Sequence, residues 1–404
     1  MLRLALRNLL RNRRRTLLAV LGVALALAFS VTSRNWRTGV WTSMLGSAIS
    51  GAAGHVVVQA PGWQEERDAA MFVPQSGTIA QALREAYPDA VVVRRVMIAG
   101  LLTSPRGAAA VGLSGVEHEA ERALTLLDDR LVDGGWLDGD GRGVLVGRKL
   151  ADALQVGVGD KVVFMGQVGK GEVESVLLRV RGIYVTGSEQ LDALTASVDL
   201  SAVQPLLHGD DGAHQIAVVQ PGLGVARLDP EPARAVVQGA DVLVWEEAMP
   251  ALAEQLKVDK KLTSFLYLFL GLIVAVGVLN TVLMGALERT RELGVMLSLG
   301  MRPARLAGMV LLEGLLMGVI GAACGLLLAA SLYRPLYVDG VDFGDLLAKN
   351  APVPSPVESL VRASVDVPGV VVMSLVAIGM TVLASVWPAW SVSRLQPVEA
   401  MRKV

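Results

Sequence analysis

Residues 286–306, ALERTRELGVMLSLGMRPARL, put six charged side chains between two of the longest apolar runs in the chain. The flanking runs, 262–287 and 306–333, are each long enough to cross a bilayer, which takes about 20 apolar residues. The fold is therefore that of a membrane protein, and this stretch joins two of its spans. It is not patterned as a loop. Leu293, Met296, Leu297 and Gly300 fall at helical spacing behind the charged start Glu288, Arg289, Arg291, Glu292, which predicts a short amphipathic helix. A helix of ten or so residues is marginal alone in water, so something must cover its apolar stripe. Two covers are open: the lipid interface, or a cytosolic protein that grips the helix and moves it.

Working outward, two further runs of spanning length lie at 16–33 and 369–393. With 404 residues, 52% of them hydrophobic, and a mean hydropathy of +0.50, the chain is too apolar for an ordinary soluble protein and too polar for an all-membrane one. Its net charge of −1 is strongly partitioned. Residues 1–15, 288–305 and 394–404 together carry +10, whereas 34–261 and 334–368 together carry −10. Short basic segments mark the cytoplasmic face. Both termini and 288–305 are thus expected inside, with 34–261 and 334–368 outside. The outer loop includes APVPSPVESL (351–360), too proline-rich for a regular helix.

The N-terminal run resembles a secretory signal: an Arg-rich front, an apolar centre and small residues in ALALAFS. The front is itself patterned, however, with Leu2, Leu6, Leu9 and Leu10 on one helical face and Arg3, Arg7, Arg11 and Arg14 on another. That pattern predicts an uncleaved anchor preceded by an amphipathic helix, 1–15, lying on the inner leaflet with its guanidinium groups among anionic lipids.

Span three carries Glu313, about 10 Å into the membrane at 1.5 Å per residue. An intramembrane carboxyl is a functional candidate by default; snorkelling to the inner interface or protonation would equally accommodate it. Gly314, Gly318, Gly321 and Gly325 form small-xxx-small pairs that let helices approach closely. Cys324 is the single cysteine, so no disulfide forms within the chain and the large outer segment must rely on its own core.

That outer segment alternates strand-like and helix-like pieces. HVVVQA (55–60) and AVVVRRVMIAGLLT (90–103) are β-branched runs, separated by the helical spacing of TIAQALREAYP (78–88). Strand, helix, glycine turn and strand follow in 143–166, and the pattern recurs at 214–247. An α+β domain is expected, with 54–116 and 213–246 forming one lobe and 117–212 inserted as a second. Helical stalks, 34–50 and 246–261, would continue spans one and two outward.

Catalytic chemistry finds little support. His55, His118, His208 and His214 lack metal-ligand spacing. GKGE (169–172) and GRK (147–149) fall short of a phosphate-binding loop. No basic patch away from the membrane suggests nucleic-acid binding.

ERTRELGVMLSLGMRPARL followed by LLEGLLMGVIGAACGLLL (311–328) resembles the signature region of ABC-transporter permeases of the MacB/FtsX/Lol (type VII) superfamily. ASVWPAWSVSRLQPVEAMR (384–402) resembles its closing motif, with Met401 where Leu is usual. LALRNLLRNRRRTLLAVLGVALALA (4–28) and LADALQVGVGDKVVF (150–164) match as well. The resemblance implies a bacterial inner-membrane protein with four transmembrane helices and a large α+β periplasmic domain, porter-like in its first lobe, inserted between helices 1 and 2. It implies a homo- or heterodimer of such chains above two separate cytoplasmic ATPase subunits, which bind the ATP–Mg; no cofactor is expected in this chain, which lacks a nucleotide-binding motif and is not expected to be an enzyme. Glu288, Arg289, Arg291, Glu292, Leu293, Gly294, Val295, Met296, Leu297, Gly300 and Met301 would form the coupling helix seated in the ATPase. Lipoprotein release by mechanotransmission, with a periplasmic carrier, is the expected activity. The alternatives are a MacB-like engine with an adaptor and outer-membrane channel, and a non-transporting FtsX-like relay.

Overall fold

The computed structural model describes residues 2–11, 13–125, 127–168, 172–207, 211–342 and 360–394. Most of the proline-rich loop, the phosphate-loop-like GKG at 169–171, His208 and the closing motif beyond Arg394 lie outside these residues. The chain divides into two compact units. One comprises 1–40, 257–341 and 362–404; the other comprises 41–256 and 342–361.

The first unit is helical. Its elements are α1 (Leu2–Arg11), α2 (Arg13–Ala48), and, after the strands of the second unit, α4 (Pro250–Glu288), α5 (Thr290–Ser298), α6 (Pro303–Ser331) and α7 (Val367–Ser393). Four of these, α2, α4, α6 and α7, are long and apolar enough to cross a membrane. At 1.5 Å per residue α2 and α4 measure about 54 and 58 Å, against the roughly 30 Å of a hydrocarbon core. Each is therefore far longer than a span requires.

The glycines of α6 explain how the helices meet. A Cβ on Gly314 would collide with Ser385 Oγ and one on Gly318 with Thr381 Oγ1, both on α7. On the other side, a Cβ on Gly321 would meet Val23 at 2.7 Å, and one on Gly325 the Ala24 carbonyl oxygen at 2.7 Å, both on α2. One small pair thus seats α7 and the next seats α2. Gly325→Leu should force α2 away from α6 at a cost of about 1–3 kcal/mol. A fall of several degrees in the melting temperature of the detergent-purified chain is expected, while Gly308→Leu, with nothing within 4 Å, should leave it unchanged.

Where the apolar run of α2 ends, Arg34 Nε and Nη2 donate to Asp366 Oδ2 at 2.9 and 2.6 Å. The second oxygen of Asp366 accepts the Gly369 N–H at 3.1 Å and caps α7. These hydrogen bonds, that from Arg34 foremost, hold the Asp366 carboxyl below the usual carboxylate range.

Among the described residues, the main sheet of the second unit has ten strands: β1 (Val56–Gln59), β2 (Val91–Thr103), β3 (Ala108–Val116), β4 (Leu131–Gly134), β5 (Gly143–Gly147), β6 (Lys161–Val168), β7 (Glu172–Tyr184), β8 (Thr195–Asp199), β9 (Gln215–Val219) and β10 (Asp241–Val244). The order β10-β1-β9-β2 is antiparallel throughout. With helix α3 (Ser76–Ala86) after β1 and a shorter helix, Glu231–Val236, after β9, it forms a split β-α-β arrangement of ferredoxin type. Strands β1 and β9 are buried along their whole length, which accounts for their unbroken apolar runs rather than an alternating pattern.

The remaining strands close on themselves. β2 pairs with β3, β3 with β8, β8 with β5, β5 with β7, β7 with β6, and β6 with β2 again. Ile98, Leu113, Val146, Phe164, Val180 and Val198, one from each of these six strands, are at most 1% exposed and belong to one core. Closure leaves no sheet edge there. The boundary between the two cores falls inside β2. Val92 packs with α3 and β9, whereas Val96, Ile98 and β3 pack with 144–207. The sequence reading places all of 54–116 in the first lobe. The structure assigns 96–116 to the barrel because the 13-residue β2 is long enough to serve both cores.

Candidate functional site

The charged connection at 288–305 folds as a helix held by two specific termini. Arg289 leaves the helical region at φ −107, ψ 12 and separates α4 from α5. At the other end Gly300 has φ +90, a conformation open to glycine and strained for other residues. It allows the Gly300 N–H to donate to the Leu297 carbonyl and the Met301 N–H to the Met296 carbonyl, each at 3.0 Å. This pair of bonds is a Schellman stop. Pro303 then opens α6, where its missing N–H costs nothing.

The apolar stripe faces inward. Leu293 is 2% exposed and lies in one core with Leu9 of α1, Val282 of α4, Leu306 and Met309 of α6, and Val392 of α7. Met296, Leu297 and Met301 are half-buried against the same core, and Gly294 is buried. The cover that the stripe requires is thus the chain's own helices. The outward face is a different one: Arg291, Val295, Ser298 and Leu299 are exposed, recurring at i, i+4, i+7 and i+8. Leu299 is 82% exposed.

Charged residues fasten this helix to elements distant in sequence. Arg289, 9% exposed, donates from Nη1 to Glu313 Oε1 at 3.1 Å; Glu313 is 13% exposed. The same carboxylate oxygen accepts from Asn8 Nδ2 at 2.7 Å. Glu313 is therefore paired with a guanidinium within the helical unit. Around it, Arg11 Nη1 meets Glu292 Oε1 at 2.7 Å and Arg15 Nη2 meets Glu288 Oε1 at 2.7 Å. Glu292 also faces Arg289 at 3.5 Å. The hydrogen bond from Arg11 is the main reason that the Glu292 carboxyl is held below its usual range.

These contacts revise the expected role of the N-terminal helix. Rather than presenting all its guanidinium groups to lipid, α1 packs on α6 with Ala5 and Leu9 buried, and Arg11 and the following Arg15 are engaged by α5 and the end of α4. Arg7 and Arg14 are exposed. Asn8, Arg11, Arg15 and Leu299 are thus site residues that sequence reasoning missed. A lone amide on an otherwise apolar and basic helix was the signal for Asn8.

The histidines in the described residues serve the fold. His214 is fully buried; its Nδ1 accepts from the Met97 N–H at 2.8 Å and its Nε2 donates to the Ala69 carbonyl at 2.9 Å. His55 likewise accepts from the Gln220 N–H and donates to the Gly224 carbonyl. Burial holds both rings below the ordinary histidine pKa, so each is a neutral structural hydrogen-bonding group. His118 lies 3.1 Å from Asp199.

Comparison with known proteins agrees with this architecture. The family model of the MacB-like periplasmic core domain matches residues 16–229, and that of the FtsX-like permease C-terminal matches 264–397. The lipoprotein-releasing system transmembrane protein LolC of Xylella fastidiosa (strain Temecula1) is 26% identical over 408 residues, covering 95% of this chain and 92% of the relative. LolC of Neisseria meningitidis is 24% identical, covering 72% and 73%. A macrolide export ATP-binding/permease protein MacB, from Nitrobacter winogradskyi, is 26% identical over 64% of this chain and 38% of its own length. Among solved structures, the periplasmic region of MacB from Actinobacillus actinomycetemcomitans aligns with a TM-score of 0.34 at 12% identity, covering 50% of this chain and 91% of that one.

Proposed function

Because the chain belongs to the MacB/FtsX superfamily of ABC-transporter permeases, we propose that it is the permease of a lipoprotein-releasing transporter of the bacterial inner membrane, driven by a separate cytoplasmic ATPase. The observation that carries the choice of branch is the similarity to LolC proteins along nearly the whole of both chains. The charge partition supports both termini and α5 on the cytoplasmic side and the α+β unit in the periplasm.

In this reading two ATPase subunits grip the outward face of α5 in each of two permease chains. Their closure on ATP displaces α5, and the polar cluster carries that displacement into α6 and α1. The helices α2 and α4, each unbroken and longer than a span, deliver it to the periplasmic unit. Ion pairing between α2 and α4, Arg37 with Asp259, would keep the two moving together. Along α4, Phe265, Leu266, Phe269, Leu272, Ile273 and Val276 are exposed, an apolar face suited to a second permease chain or to the acyl chains of a lipoprotein entering between spans one and two. A soluble periplasmic carrier would then accept the released protein.

Membrane vesicles loaded with ATP test this. Acylated protein should leave vesicles that contain this chain and its ATPase at a rate at least about tenfold above vesicles lacking the chain. Equal shedding with and without it would refute lipoprotein release. Vesicles that shed no acylated protein but expel small apolar compounds in an adaptor-dependent manner would instead support the MacB-like engine.

A further inference from the structure

The α+β unit contains a cavity of about 660 Å³, within the roughly 300–1,000 Å³ of sites that take small organic ligands. Its position is informative. Gly51–Ala53, the π-helical turn that ends the helix begun by α2, form part of the wall, and so do Pro250–Leu252, the first turn of α4. Both long helices thus terminate at the same cavity. Much of the remaining wall is apolar, including Met97, Leu127, Leu191 and Met249.

Two charged residues line it, Glu121 and Arg67, and they differ in one respect. Glu121 is already matched: its two oxygens receive Arg95 Nη2 and Nε, each at 3.0 Å. Burial pushes the Glu121 carboxyl up, against the pull of Arg95. Among the described residues the Arg67 guanidinium has no carboxylate partner. It donates to Gln64 Oε1 at 2.9 Å and lies 4.3 Å over the Trp63 ring, and burial pushes its pKa down. Its backbone is left-handed, at φ 52, where it caps the short helix Trp63–Glu66. An exposed guanidinium on the cavity wall, stacked on Trp63, offers its remaining donors to an anion through charge-assisted hydrogen bonds. Two other residues of the wall, Trp63 and Gln215, keep a buried donor (Nε1) and a buried acceptor (Oε1) with no partner, so the lining has hydrogen-bonding capacity left over near an apolar surface.

We propose that this cavity binds a single-chain amphiphile with an anionic head, the head held by Arg67 beside Trp63 and the chain packed against Leu127, Leu191 and Leu252. The site goes beyond the release reading and does not need it. A ligand there touches the ends of both long helices, so it binds one arrangement of those ends better than another and biases the unit toward it.

The test uses the full-length chain alone, without ATPase or ATP, in phosphatidylcholine nanodiscs. A twelve-carbon fatty acid bearing a terminal diazirine is photoactivated and the labelled peptides are mapped by mass spectrometry. Labelling is expected at Leu127, Leu191 or Met249–Leu252. Laurate should compete for it at least tenfold better than dodecanol. Arg67→Gln should reduce it about tenfold, and Leu191→Trp, which fills the cavity, should abolish it. Labelling of the bilayer-facing Leu266 and Phe269 should not change in either variant. Labelling confined to the membrane helices, equal competition by dodecanol, or full labelling in Arg67→Gln would each overturn the proposal. So would displacement by an anionic apolar peptide but not by laurate, which would make the occupant a peptide.

Discussion

Leu299→Asp should reduce the ATPase that co-purifies with the permease in mild detergent by at least about tenfold. Leu299 is 82% exposed and Val295 42%, and they share the outward face of α5 with Arg291 and Ser298. Fully burying a Leu or Val side chain contributes about 1.5–3 kcal/mol, and a buried carboxylate in place of one adds a desolvation cost. The same substitution touches no core, so the thermal stability of the isolated permease should shift by less than about 0.5 kcal/mol. Leu293→Asp should behave in the opposite way. Leu293 is 2% exposed among α1, α4, α6 and α7, and a charge there should unfold the inner-face packing whether or not an ATPase is present. Co-purification at the wild-type level with Leu299→Asp and Val295→Asp together would remove the coupling role from α5.

The contrast between Leu293 and Leu299 shows what a sequence can and cannot reveal about a docking helix. Periodicity identifies the stripe Leu293–Met296–Leu297 as buried but says nothing about which surface buries it. Leu299 shares its helical face with Arg291, Val295 and Ser298, a mixed face that no apolar periodicity marks in the sequence. The spans were legible because about 20 consecutive apolar residues have few other uses, and the β1 and β9 runs because a strand buried on both faces is apolar throughout. The closing of the barrel was not legible. It rests on β6 pairing with β2 some sixty residues earlier, as Thr103↔Val163 does, and such register is set by the partner strand rather than by local pattern. The glycines of α6 could be recognised as packing residues, yet not their division between α7 and α2. Nor could the ion pairs be read, since Arg11 and Glu292 are 281 positions apart.

The polar cluster carries the second large effect. Arg289→Met should destabilise the permease by about 3–5 kcal/mol, the usual consequence of removing one member of a buried ion pair. The loss arises less from the missing attraction than from the Glu313 carboxylate, which is 13% exposed and keeps only the Asn8 amide at 2.7 Å. Three variants separate these causes. Glu313→Leu alone should be nearly as damaging, because it strands the Arg289 guanidinium with the more distant Glu292 at 3.5 Å. The double variant Arg289→Met/Glu313→Leu should recover most of the lost stability, since a matched apolar pair fills the site with no charge to desolvate. Recovery of stability need not restore function. If the pair transmits displacement from α5 to α6, the double variant should melt near the wild-type temperature and still bind the ATPase, but release lipoprotein at a rate at least about tenfold lower. Full transport by the double variant would make the cluster a structural fastening only, and would leave the apolar contact of Leu293 with Leu306 and Met309 as the route by which α5 moves α6.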